Sequence, residues 1–174
     1  PTATGRCNLV AKSDGLAILD ADTIDALNLT NEIIAISTVP PYRKVSKGDV
    51  VATVKIITFA ISQTIIEACE AIVVSQGIPV SLAPFNSKKI GLLQTKLPIL
   101  RDSLIKKGKD VTSSRIEALG SELLLTAECR HDVDNIFMAL LTFKSSECEI
   151  VLVLGASAIA DRGDVLPAAI EKCG

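Results

Sequence analysis

Short apolar runs separated by Gly, Pro and Asp dominate the first half of the chain. Arg6 to Ala11 and Gly15 to Leu19 are strand-like and flank Ser13-Asp14-Gly15, where Asp-Gly signals a tight turn, so the pattern predicts a first hairpin. Asp20, Asp22 or Thr23 can cap a brief helix through Leu27. Glu32 to Thr38 returns to strand composition and stops at Val39-Pro40-Pro41. Lys47-Gly48-Asp49 reads as another turn before the mostly β-branched run Val50 to Ile57. From Ser62 to Val74 the spacing of Ile65, Ile66, Cys69, Ile72 and Val73 is helical, and Gly77-Ile78-Pro79 breaks it.

The second half changes rhythm. Lys89 to Leu93 is a compact apolar strand, Gln94 to Ser103 a long polar loop with Lys106-Lys107-Gly108-Lys109 behind it, and Val111 to Leu119 a helix ending at Gly120. Glu122 to Ala127 is again strand-like, Asp134 to Phe143 is spaced for a helix, and Glu149 to Leu154 reads as a strand buried on both faces. Asp164 precedes a last helix, Val165 to Lys172, with Pro167 in its first turn. Strands alternating with helices predict a parallel sheet. The expected organisation is a β-rich module over residues 1–80, with the boundary near Pro79 to Asn86, then an α/β module over 81–174 on a mainly parallel sheet. Three strands leave open edges, which favours a homo-oligomer.

Composition narrows the function classes. Of 174 residues, 18 are Lys or Arg and 20 Asp or Glu, so the net charge of -2 gives no general pull on polyanions, and nucleic acid is not expected as a partner. With aromatics at 3% and no Trp, base-stacking platforms have nothing to be built from. Five scattered cysteines without a CxxC pair read as small buried hydrophobes in a reducing compartment, and one histidine beside them leaves no zinc ligand set. Lys55 interrupts the longest aliphatic stretch, far short of the ~20 residues that cross a bilayer. A cytoplasmic protein without a membrane role is expected. The chain starts at Pro1 without an initiator Met, which reads as a processed or truncated piece.

In open α/β sheets ligands bind beyond the carboxyl ends of the strands, which selects three loops. After Leu154, the small-residue run Gly155-Ala156-Ser157 leads through Asp161-Arg162-Gly163 to Asp164; its backbone N–H groups can cradle a phosphate, with a hydroxyl from Ser157 and a charge from Arg162. After Ala127, Glu128 to Asp134 offers Asp132 and Asp134 as helix caps; Asp132 and Asp164 together form a carboxylate pair suited to Mg²⁺ bridging phosphate oxygens. His131 reads as a solvated side chain or a base. Lys55, inside an apolar strand, has the surroundings of a snorkelling lysine and not of a carrier's modified lysine at a hairpin tip.

The run Leu154 to Pro167 (LGASAIADRGDVLP), with Asp132 one strand upstream and Asp102-Ser103 one unit before that, resembles the molybdopterin-binding domain shared by molybdopterin adenylyltransferase, molybdopterin molybdotransferase and competence-damage-inducible protein A. Gly5-Arg6-Cys7-Asn8-Leu9, Val51 to Ile57 and Ile90 to Thr95 further resemble longer bacterial molybdopterin-binding-like proteins in which a β-rich segment precedes that domain. The resemblance implies a three-layer α/β fold and a ligand of the molybdopterin type. It implies Gly155, Ala156 and Ser157, with Asp161 and Arg162, over the pterin phosphate, Asp102 and Ser103 lining the pocket, and Asp132 and Asp164 as functional carboxylates with Mg²⁺. In the family these groups support transfer of AMP from ATP or exchange of AMP for molybdate. It also implies further strands beyond Gly174, so the α/β module is expected to be incomplete at its C-terminus.

The adenylyltransferase loop reads Gly-Gly-Thr-Gly, where this chain has Gly155-Ala156-Ser157-Ala158; two Cβ atoms stand where backbone approaches a phosphate. Two readings follow: a protein that binds a pterin phosphate in molybdenum-cofactor biosynthesis, with or without nucleotidyl or molybdate transfer, or a non-enzymatic binding or interaction module that keeps the fold.

Overall fold

Asp20 shows how directly local chemistry sets the elements: its carboxylate takes the Thr23 amide at 3.4 Å and the Thr23 hydroxyl at 2.6 Å, and a helix starts there. The structure is a computed structural model that describes residues 5–174. It is mixed α/β, with two units, Pro1–Phe85 and Asn86–Gly174.

The first unit contains β1 (Arg6–Val10), β2 (Gly15–Leu19), α1 (Ala21–Thr30), β3 (Ile34–Thr38), β4 (Lys44–Val45), β5 (Val50–Ile56), α2 (Gln63–Gln76) and β6 (Val80–Pro84). Its strands form two antiparallel three-stranded sheets, β1-β5-β3 and β4-β2-β6. The expected hairpin between residues 6–11 and 15–19 is therefore not made. β1 pairs with β5, from Arg6 opposite Lys55 onward, and β2 pairs with β4 and β6. Two contacts explain the change. The Asp14 carboxylate accepts the Lys47 amide at 2.8 Å, which ties the Ser13-Asp14-Gly15 corner to the other turn. Gly15 is needed for close approach, since a Cβ there would collide with the Ala83 carbonyl oxygen of β6. The Pro79 to Asn86 segment, where the boundary was expected, supplies β6, whose Val80 and Leu82 cover the Ala11, Ala17, Val45 and Val51 core, and the units divide at its end, between Phe85 and Asn86. Helix α2 forms as expected but buries no residue completely, and Val74 is 86% exposed.

The second unit contains β7 (Lys89–Lys96), α3 (Asp102–Glu117), β8 (Glu122–Arg130), α4 (Val133–Lys144), β9 (Ile150–Leu154) and α5 (Val165–Cys173). Its three strands are parallel in the order β8-β7-β9. The middle strand is the most hidden: Ile90 to Thr95 are all buried. Leu93 joins Ile136, Leu140, Phe143, Leu166 and Ala169 in the core, with Leu125, Ala127, Val151 and Val153 packed against it, so α4 and α5 cover that side. The next residue, Gln94, points the other way and donates to the Ile105 carbonyl of α3 at 2.9 Å.

Two expectations change here. The loop expected over residues 94–103 shrinks to residues 97–101, and the lysine run lies inside α3. Only Ile105 and Ile116 of α3 are buried, eleven positions or about three turns apart, so its apolar stripe is too narrow to read as periodicity. Gly108 falls where the helix meets Gln94 and Leu154: a Cβ would lie 2.9 Å from Gln94 Nε2 and 3.5 Å from Leu154 Cδ1. Strand β9, expected to be buried on both faces, is an edge strand with Ile150, Leu152 and Leu154 exposed, because α3 lies mainly over β7 and β8 and reaches β9 only near Leu154. Among the described residues β8 and β9 each have one neighbour, and no helix is long and apolar enough to cross a membrane.

Candidate functional site

All three strands of the second unit end on one side, because they are parallel, and their last residues with the loops that follow make the candidate site. β7 ends in Thr95 and Lys96, β8 in Arg130 with His131 bonded on through its amide to the Lys96 carbonyl at 3.0 Å, and β9 leads into Gly155. Thr95 Oγ1, 1% exposed as a residue, accepts the Ala156 amide at 2.8 Å and lies 2.8 Å from His131 Nδ1. His131 Nε2 lies 2.9 Å from Ser157 Oγ. One imidazole thus joins all three strand ends.

Beside it opens a cleft of about 540 Å³ lined by Lys96, Leu97, Pro98, Leu100, Asp102, Arg130, His131 and Asp132. Lys96 is neutralised, holding Glu128 at 2.6 Å and Asp102 at 3.4 Å. The Glu128 bond raises its pKa first, with Asp102 adding to it. Arg130 is different: its side chain is 84% exposed and its ion pair with Asp132 is long, 3.9 Å from Nε to Oδ2, so the guanidinium is only loosely held.

The predicted carboxylates serve the backbone. Asp132 is the N-cap of α4, accepting the Asn135 amide at 2.9 Å and the Asn135 side-chain amide at 2.9 Å on each oxygen. These bonds hold its carboxyl below the usual range, the Asn135 amide first. Asp164 Oδ2 accepts the Ala160 amide and, at 3.0 Å, the Asp161 amide; those bonds, the Ala160 amide first, hold its carboxyl below the usual range. Asp161 accepts the Gly163 amide at 2.6 Å. The 155–164 loop is thus closed on itself, and the amides of Ala156, Ala160, Asp161 and Gly163, expected to cradle a phosphate, are already taken. Gly155 is required by packing: a Cβ there would lie 2.6 Å from Leu166 Cδ1 of α5.

Of the remaining predicted residues, Asp102 opens α3 with its side chain 92% exposed at the cleft, and Ser103 follows it, exposed. Arg162 is exposed in the loop. As a Mg²⁺ site the set does not fit. Both Asp132 oxygens and one of Asp164 are committed to N–H donors, and the described residues hold no group of three His, Cys, Asp or Glu able to ligate a metal. The five cysteines are unpaired, and burial raises the Cys129 thiol pKa, away from reactivity.

Sequence reasoning missed Thr95, Lys96 and Arg130 and undervalued His131. The available signal was Gln94-Thr95, two polar residues continuing an otherwise apolar strand, since a buried hydroxyl demands a partner. Comparison with protein-family models, with curated proteins and with solved structures finds no match to this chain.

Proposed function

We propose that the second unit is a binding module for a phosphate-bearing pterin of the molybdopterin class, held in the cleft between Lys96–Leu100 and Arg130–Asp132 without group transfer. The observation that carries this reading is the exposed, loosely paired Arg130 guanidinium in a cleft of ligand size at the carboxyl ends of parallel strands. A guanidinium suits a phosphate through paired, charge-assisted bonds and stacks on a planar ring. Leu97, Pro98 and Leu100 give the ring an apolar wall, and the exposed Asp102 carboxylate can accept from a heterocycle's amino edge. Helices flanking the two faces of β7, seen in the opposed contacts of Leu93 and Gln94, agree with the three-layer arrangement the sequence resemblance implies.

Binding is favoured over turnover because the groups a transferase needs are occupied. Asp132 caps α4, Asp164 closes its own loop onto the Ala160 and Asp161 amides, and the alanines at 156 and 158 put methyl groups on the loop. Incubating the chain with molybdopterin, ATP and Mg²⁺ tests both halves of the proposal: bound, unmodified molybdopterin is expected. An adenylylated product would overturn the non-catalytic reading, and no bound pterin would overturn the ligand.

A further inference from the structure

We infer that Thr95, His131 and Ser157 form a hydrogen-bond chain running in one direction, which locks the Ser157 hydroxyl as a donor for an acceptor oxygen of the ligand and makes His131 a positioning residue. The three residues resemble a nucleophile, a base and an orienting group, and distances alone do not separate the two roles. Proton accounting does.

Thr95 Oγ1 meets two partners, the Ala156 N–H at 2.8 Å and His131 Nδ1 at 2.8 Å. An amide N–H can only donate, so the threonine oxygen accepts there. Its single hydrogen must then go to Nδ1. If Nδ1 carried a proton instead, the hydroxyl hydrogen of a residue 1% exposed would have no acceptor. A neutral imidazole that accepts at Nδ1 carries its proton on Nε2, so Nε2–H donates to Ser157 Oγ across 2.9 Å. Ser157 has spent a lone pair and kept its hydrogen.

Two consequences follow. His131 in this tautomer cannot take the serine proton, because its Nε2 is already protonated, so Ser157 is not an activated nucleophile. Ser157 is exposed, and its uncommitted hydrogen fits an ionised phosphate oxygen or a ring carbonyl, groups that accept. The chain also ties the start of the loop after β9 at two adjacent positions: the Ala156 amide bonds Thr95, and the next residue, Ser157, meets the far end of the chain. The inference holds whether or not the ligand is a pterin.

The chain has a single histidine, so nitrogen-15 spectra of the imidazole contain one spin system and no assignment ambiguity. In the full chain with the ring neutral, the expected result is a protonated Nε2 and an unprotonated Nδ1. Thr95→Ser should keep that tautomer and Thr95→Val should lose the preference; the wild-type spectrum decides the matter even if Thr95→Val does not fold. Titration with inorganic phosphate should move the Nε2–H resonance, and Ser157→Ala should weaken the apparent affinity about tenfold, the value of one bond to a charged acceptor. A protonated Nδ1, labelling of Ser157 by a fluorophosphonate, or a phosphate response unchanged or absent in wild type and Ser157→Ala alike would overturn the inference. Failure of molybdopterin to bind beside the expected tautomer and phosphate response would sink only the pterin reading.

Discussion

Replacing Gly91 with alanine probes how the second unit is held together beneath its site. Gly91 lies in β7, and a Cβ there would sit 2.5 Å from Phe143 Cδ1, 2.7 Å from Cε1 and 3.1 Å from Cys148 Sγ. Carbon atoms in contact prefer about 3.5–4.0 Å, so the methyl overlaps the ring by about 1 Å. The ring cannot swing away cheaply, because Phe143 is 1% exposed and wedged among Leu93, Ile136, Leu140 and Leu166. Overpacking of this kind costs about 1–3 kcal/mol. Against it, alanine restricts the unfolded chain and returns about 0.4–1 kcal/mol, leaving a net destabilisation of about 1–2 kcal/mol. Native-state hydrogen exchange at the Leu92 and Leu93 amides reports on this unit alone, which matters in a chain with two units. Phe143→Leu opens space at the same spot, so the double substitution should be more stable than the sum of the two by about 1–2 kcal/mol. Gly91→Ala matching wild type, or strict additivity with Phe143→Leu, would refute the argument that the glycine exists to admit the ring.

Asp164 makes a pH prediction whose sign is fixed. Its folded pKa lies below the unfolded one, so its stabilising bonds are fully present above the unfolded carboxylate value and are lost as pH falls through the depressed one. Exchange protection of the Ala160 and Asp161 amides should follow that course in wild type and be weak and insensitive to acid in Asp164→Asn. Asp132→Ala should fray the first turn of α4, seen at the Asn135 amide, whereas Asp132→Asn keeps the cap; added Mg²⁺ should change neither, and protection that rises with Mg²⁺ would restore the metal role. Gln94→Leu removes the buried bond to the Ile105 carbonyl and should cost about 1 kcal/mol in urea denaturation of the second unit, a neutral result arguing against the tie between β7 and α3.

Much of the element list was legible because period and punctuation agree along most of the chain. Asp20, Asp132 and Asp164 each stand just before a helix, and strands β3, β5 and β8 fall on the runs expected of them. Pairing was not legible. The Asp-Gly at Asp14-Gly15 has the composition of a hairpin turn, but the contacts with Lys47 and Ala83 that override it come from distant segments. The continuous apolar run of β9 gave no sign of its edge position, since composition does not record which strand receives a second helix layer. At the site, position along the chain correctly drew attention to the loops after the strands, but it could not separate a carboxylate that caps from one that binds. That distinction lies in which N–H groups each oxygen meets, and for Asp132 and Asp164 the meeting partners are a helix turn and a loop turn of their own neighbours. His131 was undervalued for the complementary reason: its partners, Thr95 and Ser157, are 36 and 26 residues away.

The ligand claim rests on Arg130, so calorimetric titration of the whole chain with molybdopterin under anaerobic conditions, in wild type and Arg130→Gln, tests it most directly. One site per chain is expected in wild type, with affinity falling about 10- to 100-fold in Arg130→Gln as charge-assisted bonds to the phosphate are lost. Absence of binding to wild type, or equal affinity in the two proteins, would contradict the account.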